Sequence, residues 1–259
     1  MTALPTLNRI GWLLASIGVG LLFIALWYAV AKARLVSPVF LPGPERAWDA
    51  LVYGLTEGDL REKTWATIER MLYGWLLASL VGILLGALIG VSQAARAYVE
   101  PTLEFLRPLP ASAMMPVAIA ILGLTDAMVL AVIAFGALWP MLLATVHGFA
   151  AVEPRLYQVS RALGLSRREV IWKIALPSAM PDILAGMRVG LTIALILAVV
   201  GEMLASRPGL GQAILLAARS FQSADLYAGV ILLGAIGYVS GTLLSAVEAH
   251  LLRWRNAHT

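Results

Sequence analysis

The segment RALGLSRREVIWKIALPSAMP, residues 161–181, is a basic stretch that separates two long apolar runs. Ser166 and Glu169 have the S-x-x-E spacing of a capping box, which begins a helix by satisfying free backbone N–H groups. Gly164 is the residue type that most readily ends a helix in the left-handed conformation. Pro177 lacks a backbone donor and is expected to stop the second helix. The segment therefore predicts two short helices joined at Gly164.

The first of these helices is predicted to begin at Glu153 and Pro154, because proline is favoured at the first helical position. Leu156, Val159 and Leu163 then lie on one face at helical spacing. Each helix has fewer than about twelve residues and is marginal in isolation, so its apolar face needs a partner. The lipid interface, the chain's own membrane helices and another protein are the three candidates.

Two short basic helices are also found in DNA-binding helix-turn-helix domains. Such a domain needs a third helix and a soluble core to present its recognition helix. This segment has only about 30 residues between two apolar runs. An excess of Arg is also expected in any cytoplasmic loop of a membrane protein. We therefore do not expect nucleic acid as a partner.

The composition of the whole chain indicates an integral membrane protein. Of its 259 residues, 60% are hydrophobic and only 13% are charged, and the mean hydropathy is +0.85. An ordinary soluble domain is close to half apolar and a quarter charged. The chain has no Cys, which excludes disulfides and thiolate sites.

Six apolar runs are each about long enough to cross a bilayer as a helix. The predicted fold is an all-α, polytopic membrane helix bundle, a single domain over residues 1–259. Prolines at 108, 110 and 116 predict a kink or an irregular start in the third run. The first run is longer than the apolar part of a signal peptide, so it is interpreted as a retained anchor and not as a leader cleaved after Ala31. The predicted spans are residues 10–31, 69–94, 105–124, 127–149, 183–204 and 226–249, with a loop at 153–181.

The distribution of positive charge predicts that both termini are cytoplasmic, because cytoplasmic loops carry excess Lys and Arg. With that orientation, eleven of the nineteen basic residues lie inside. The eleven are Arg9, Arg96, Arg107, Arg155, Arg161, Arg167, Arg168, Lys173, Arg188, Arg253 and Arg255. Leu41 to Leu51 is then an outer amphipathic segment, with Ala47, Trp48 and Leu51 on one face.

Small residues recur at i, i+4 spacing in three runs, which allows close approach of helix backbones in lipid. Two interpretations are open: packing inside one bundle, or an interface between subunits. The residues are Gly82, Gly86 and Gly90, then Gly186 and Gly190, then Gly237 and Gly241.

Residues 153–181 resemble the EAA loop of the permease subunits of ATP-binding-cassette (ABC) importers. Leu163-Gly164, Ile174 and Leu176-Pro177 match its pattern, although Gln158-Val159-Ser160 stands where the family often has Glu-Ala-Ala. Three other features resemble the nitrate, sulfonate and taurine branch: LPxP at 41–44, RPLPxxAxxP at 107–116 and Gly-Leu-Gly at 209–211. The resemblance covers nearly the whole chain.

The resemblance implies a type I, binding-protein-dependent importer subunit in the inner membrane. It implies a second copy of the permease, two cytoplasmic ABC ATPase subunits and a periplasmic or lipid-anchored solute-binding protein as partners. The two short helices would be coupling helices that dock on the ATPase. The docking residues would be Gln158, Arg161, Ala162, Leu163, Gly164, Leu165, Ser166, Arg167, Leu176 and Pro177.

The chain has no P-loop, since none of its three lysines follows a glycine, so we expect no ATPase or other enzyme activity of its own. ATP and Mg would be bound by the partner subunits, and the scattered histidines match no metal site. Arg188 is expected to snorkel towards the membrane surface. Glu202, with Gly209 and Gly211, is interpreted either as part of an outer gate or receptor-facing surface, or as a solvated helix end.

The expected substrate is a small organic anion such as a sulfonate, taurine or nitrate, and no residue decides among them. A pyrimidine, a riboflavin-type compound or an aromatic acid are alternatives from related permeases. An ion-driven secondary transporter is a further alternative, although no charged residue lies at mid-span. A membrane scaffold or sensor without transport is the last.

Overall fold

The computed structural model describes residues 6–106 and 108–253, without the side chains of residues 6–10 and 13. All regular structure in these residues is helical. The side chain of Arg9, and all of Arg107 and Arg255, lie outside the described part. The predicted all-α bundle is confirmed.

The α-helices are named in chain order. They are α1 Thr6–Lys32, α2 Pro44–Thr56, α3 Leu60–Gly90, α4 Gln93–Leu106, α5 Met115–Leu122, α6 Asp126–Ala150, α7 Pro154–Ala162, α8 Arg167–Val170, α9 Leu176–Ala205, α10 Leu210–Arg219 and α11 Ser223–Leu251. A 3-10 turn, Ala111–Met114, leads into α5, and a π-helical turn, Ile171–Ala175, joins α8 to α9.

Five helices of the described chain are long and apolar enough to cross a membrane. A sixth span results if α4 and the 111–122 helix, which are bent by 80° relative to each other, are counted as one broken span. The break lies at the cluster of prolines that predicted an irregular third span. Proline forces such a break because it lacks an N–H and its ring clashes with the preceding turn.

The chain forms two compact units. Residues 62–212 and 232–259 make up the larger one, in which α6 and α9 pack along each other over most of their length. Its buried core is largely apolar and includes Met128, Ile133, Met141 and Leu191. Arg188, which is expected to snorkel, forms an ion pair with Glu248 of α11.

Glycines let helices of this larger unit approach closely. A Cβ on Gly86 would lie 2.7 Å from the carbonyl oxygen of Leu142, and one on Gly186 would lie 2.8 Å from that of Pro140. The glycines of α3 and α9 therefore pack against α6 within one chain, which confirms the bundle interpretation for those two runs. Gly241 in α11 has no described neighbour within 4 Å of such a Cβ.

The smaller unit comprises residues 1–61 and 213–231. In it, the indole N–H of Trp27 donates to the carbonyl of Pro42 at 2.9 Å, and its ring stacks on Tyr227. The predicted amphipathic segment is helix α2, which buries Ala47 and Leu51. Placing Trp48 on that face was wrong, since its side chain is 61% exposed. A residue at i+1 is rotated by about 100° from its neighbour on a helix.

Candidate functional site

Helix α7 presents an apolar stripe that nothing in the described chain covers. Leu156, Val159 and Leu163 lie on one face as predicted, and Leu163 is 69% exposed. The side of the helix that faces the protein carries Ser160, which is buried, and Tyr157, which packs against the core cluster that includes Phe149 and Ala179. The helix therefore leaves much of its apolar stripe exposed, whereas a helix that packs only on its own bundle would bury it.

The turn after α7 depends on Gly164, whose φ is +65°. That left-handed conformation costs other L-residues about 1–2 kcal/mol, Asn and Asp being the most tolerant exceptions. Leu165 N–H donates to the carbonyl of Ser160 and Gly164 N–H to that of Arg161, which closes the end of the helix. No described atom lies within 4 Å of a Cβ built on Gly164. The glycine is therefore required by the backbone conformation and not by crowding inside the chain.

The predicted capping box is present at the start of α8. Ser166 Oγ accepts from the Glu169 N–H, and Glu169 Oε2 accepts from the Ser166 N–H at 3.0 Å. Glu169 also accepts from Lys173 at 2.8 Å. Ala162, Gly164 and Ser166 are all exposed around this corner, and so are Gln158, Arg161 and Arg167. The predicted docking residues therefore form one accessible tip, with Leu165 half-buried behind it.

The prediction that Pro177 stops the second helix was wrong. The helix runs without interruption from Arg167 to Ala205, through Pro177 and Pro181, over 39 residues. The five-residue π turn at 171–175 lies just before Pro177. Such a wider turn lets a helix continue where a proline disrupts the regular pattern of bonds to the preceding turn. Leu176 and Pro177 are half-buried parts of this rod and not its end.

This continuous helix joins the exposed tip to a second site at its far end. Thirty-nine residues at 1.5 Å per residue span roughly 58 Å, more than the hydrocarbon core of a bilayer. Glu202, close to that far end, is completely buried. The interpretation of Glu202 as a solvated helix end was therefore wrong.

The Glu202 carboxylate is held by two other segments of the larger unit, α3 and the start of α10. Arg70 of α3 donates to Oε1 at 3.0 Å, and Gly211 N–H at the start of α10 donates to Oε2 at 2.9 Å. The Thr67 hydroxyl lies 3.0 Å from Oε2 and accepts from Leu210 N–H at 2.9 Å. A buried carboxylate is tolerated when it is paired and hydrogen-bonded in this way.

Arg70 extends the network to a second carboxylate. Its Nε donates to Asp126 at the start of α6 at 3.0 Å, and its Nη1 donates to the Pro208 carbonyl at 2.6 Å. Arg207 donates to both oxygens of Asp126. These bonds raise the pKa of the Arg207 guanidinium above its ordinary value, so it remains charged. The network thus ties α3, α6, α9 and the 206–211 turn together.

The Gly-Leu-Gly motif allows this network to close. A Cβ on Gly209 would lie 2.2 Å from Glu202 Cδ, and one on Gly211 would lie 2.2 Å from the Val199 carbonyl oxygen. The predicted grouping of Glu202, Gly209 and Gly211 is thus a single cluster in space. A gating or receptor role for it stays a prediction.

We expect Gly211→Ala to destabilise the protein by about 1–3 kcal/mol, as overpacking a filled site does. The new methyl group meets backbone and not a flexible side chain, so α10 must shift and the bond from Gly211 N–H to Glu202 weakens. Thermal unfolding of the purified chain in detergent measures the change. Gly234→Ala in α11, where no described atom lies within 4 Å of the added Cβ, is the matched control. Equal melting temperatures for both variants would contradict this explanation of the motif.

Sequence reasoning missed the partners of Glu202. In the sequence, Arg70 is only a charged residue at the edge of an apolar run. No local pattern around Thr67, Asp126 or Arg207 indicates that these residues bind Glu202 or one another. No group of three or more potential metal ligands occurs in the described residues.

Comparisons with known proteins agree with this architecture. A family model described as the binding-protein-dependent transport system inner membrane component matches residues 78–256. The chain is 31% identical to SsuC of Bacillus subtilis, named as an aliphatic sulfonates transport permease protein, over 98% of this chain and 92% of that protein. It is 28% identical to the taurine transport system permease protein TauC of Escherichia coli, over 92% of this chain and 89% of that one.

A cyanobacterial relative and a solved structure extend the likeness. The bicarbonate transport system permease protein CmpB of Synechococcus elongatus is 30% identical over 90% of this chain and 85% of its own length. The MetNI methionine ABC transporter in an inward-facing conformation has a TM-score of 0.65 at 18% identity, covering 74% of this chain and 95% of that chain, which shows the shared fold. The chain belongs to the family of binding-protein-dependent transport system inner membrane components, and it is a transport subunit of the type I ABC importer permease class.

Proposed function

We propose that two copies of this chain form the pathway of an importer and that each copy docks on a cytoplasmic ABC ATPase through residues 158–167. The exposed apolar stripe of α7, which ends at the Gly164 turn, is the observation that carries the proposal. An apolar surface of this kind on a short helix marks a contact with another protein. In the proposed orientation both termini and this tip are cytoplasmic, and the Glu202 network lies on the outer side.

A pocket of about 600 Å³ in the larger unit supports a transport pathway. It lies between α6, α9 and the start of the 3-10 turn, and its lining includes Pro110, Ser112, Trp139 and Ile193. Backbone that leaves the helix at membrane depth, as it does at 109–111, is tolerated where it lines a cavity or is buried in protein. We assign this pocket to the pathway between the two copies.

The continuous helix from Arg167 to Ala205 gives the proposal a mechanism. ATP and Mg, bound by the partner subunits, would bring the two ATPases and the docked tips together. Because the helix that begins at Arg167 of the tip continues into α9, displacement at the tip tilts α9, which lines the pocket. This chain contributes binding surfaces and a pathway, and the partners supply the energy.

The proposed substrate is a small organic anion delivered by a solute-binding protein. The names of the relatives, which refer to aliphatic sulfonates, taurine and bicarbonate, support an anion. A sulfonate or taurine is favoured over bicarbonate because the relatives that carry those names match over 98% and 92% of this chain, against 90% for the bicarbonate permease.

The experiment that tests the proposal is recovery of the tagged chain from solubilised native membranes, followed by mass spectrometry. We expect a P-loop ATPase in an equal number of copies. Deletion of the gene is expected to abolish uptake of the solute bound by the associated binding protein. Recovery of the chain without an ATPase, together with uptake that survives the deletion, would overturn the proposal.

A further inference from the structure

A pocket of about 690 Å³ beside the docking tip has two distinct kinds of lining. It lies between the end of α3 and the 157–175 segment, inside the larger unit. Arg161, Arg167, Ser92, Gln93 and Ser160 provide its polar lining. Val91, Leu165, Val170, Ile171 and Ala175 provide an apolar one.

The two arginines of this pocket have no acidic partner. Arg161 and Arg167 are both exposed, and no carboxylate among the described residues lies within ion-pairing distance of either. Glu169, the nearest acidic residue in the chain, is instead engaged by Ser166 and Lys173. The pocket therefore has two uncompensated positive charges on one side, which favour an anionic ligand.

The apolar lining lies near the ends of two helices that are long and apolar enough to cross a membrane. Val91 directly follows the last residue of α3, and Ile171 and Ala175 belong to the turn that leads into α9. A ligand in this pocket thus meets positive charge on one side and, on the other, apolar surface close to the ends of these two helices. Basic pockets between membrane helices bind the head groups of anionic lipids in this way.

We propose that this pocket binds one anionic phospholipid of the adjacent leaflet. The phosphate is held by Arg161 and Arg167, and the first acyl methylenes lie on Val91 and Ile171. The bound lipid would fix the 157–175 segment against the end of α3 and so support the tip. The assignment depends on charge and on position at the membrane surface, and it stands whether or not the ATPase docks there.

The test uses the purified full chain in detergent and native mass spectrometry with a short-chain phosphatidylglycerol. We expect saturable binding of one phosphatidylglycerol per chain and much weaker binding of the matching phosphatidylcholine. The double variant Arg161→Gln/Arg167→Gln is expected to lose about 30-fold in affinity, because each of the two basic residues contributes roughly five-fold near an anionic lipid.

The matched control is Arg155→Gln/Arg168→Gln. It removes the same charge from the same segment, at exposed positions that do not line the pocket, and we expect it to bind normally. Val91→Glu provides a second variant, since it places a carboxylate at an exposed rim position and leaves both arginines intact. We expect this variant also to bind phosphatidylglycerol more weakly than the wild-type chain.

Several results would overturn the lipid site. Equal losses in the two double variants would show general attraction to surface charge. If inorganic phosphate binds as tightly as phosphatidylglycerol, the pocket is a site for small soluble anions and not for a lipid. Unchanged lipid affinity in Arg161→Gln/Arg167→Gln, with ATPase recovery lost, would assign the arginines to an acidic group of the partner.

Discussion

Replacing Glu202 by Ala is expected to lower the melting temperature of the chain by on the order of 10 °C. Removing one partner of a buried ion pair costs about 3–5 kcal/mol because the remaining groups stay buried without compensation. For a chain of this size, 1 kcal/mol corresponds to about 2–4 °C. Here Arg70 loses its Oε1 acceptor, and Gly211 N–H loses its only described acceptor.

The isosteric variant Glu202→Gln removes the charge of the side chain and keeps its shape, so it measures how much of the lost stability depends on the charge. Its amide oxygen can still accept from one donor, whereas its NH₂ group faces another donor, so we expect an intermediate loss of about 1–3 kcal/mol. Glu100→Ala, at an exposed position of α4, removes the same charge from the surface and is expected to change the free energy of unfolding by less than about 0.5 kcal/mol. Thermal unfolding in one detergent compares the three.

Equal melting temperatures for Glu202→Ala and Glu100→Ala would contradict the network described for the far end of α9. A loss in Glu202→Ala that Arg70→Met reverses would support it strongly. In that double variant the buried pair is replaced by apolar groups, which is often neutral or favourable. Arg70 also binds Asp126 and Pro208, so we expect the rescue to be partial.

Local sequence signals predicted the features that depend on neighbouring residues. The capping box at Ser166, the left-handed Gly164 and the break near Pro110 are each set by the chemistry of a few adjacent residues, and each is confirmed. The apolar runs likewise predicted long apolar helices, because the bilayer imposes a length on any helix that crosses it.

Features that depend on distant residues were not predictable in this way. Glu202 meets Arg70 across 132 positions of the chain, and nothing in the sequence around either residue indicates the other. The continuation through Pro177 was missed for a related reason. A proline predicts a helix end from local sterics, whereas the π turn before it and the packing of Ala175 and Ala179 in the core allow the helix to continue.

The second large effect is expected at the tip, where Gly164→Asp should reduce recovery of the ATPase by at least about 100-fold. The prediction depends on the proposed docking. Asp tolerates a positive φ better than most residues, and the space around Gly164 within the chain is open, so the fold should persist. In the complex, an unpaired carboxylate would be buried against the partner at a cost of several kcal/mol.

Gly164→Asn is the matched control because Asn has nearly the same shape and the same tolerance of the left-handed conformation. We expect it to retain clearly more ATPase than the Asp variant, since its side chain can be buried without a charge. Co-purification from membranes measures both, and the amount of permease inserted serves as the reference. Wild-type recovery of the ATPase with Gly164→Asp would show that the partner does not approach this turn. Equal, complete loss in both variants would instead mean that the contact excludes any side chain at Gly164, so that shape and not charge decides the docking.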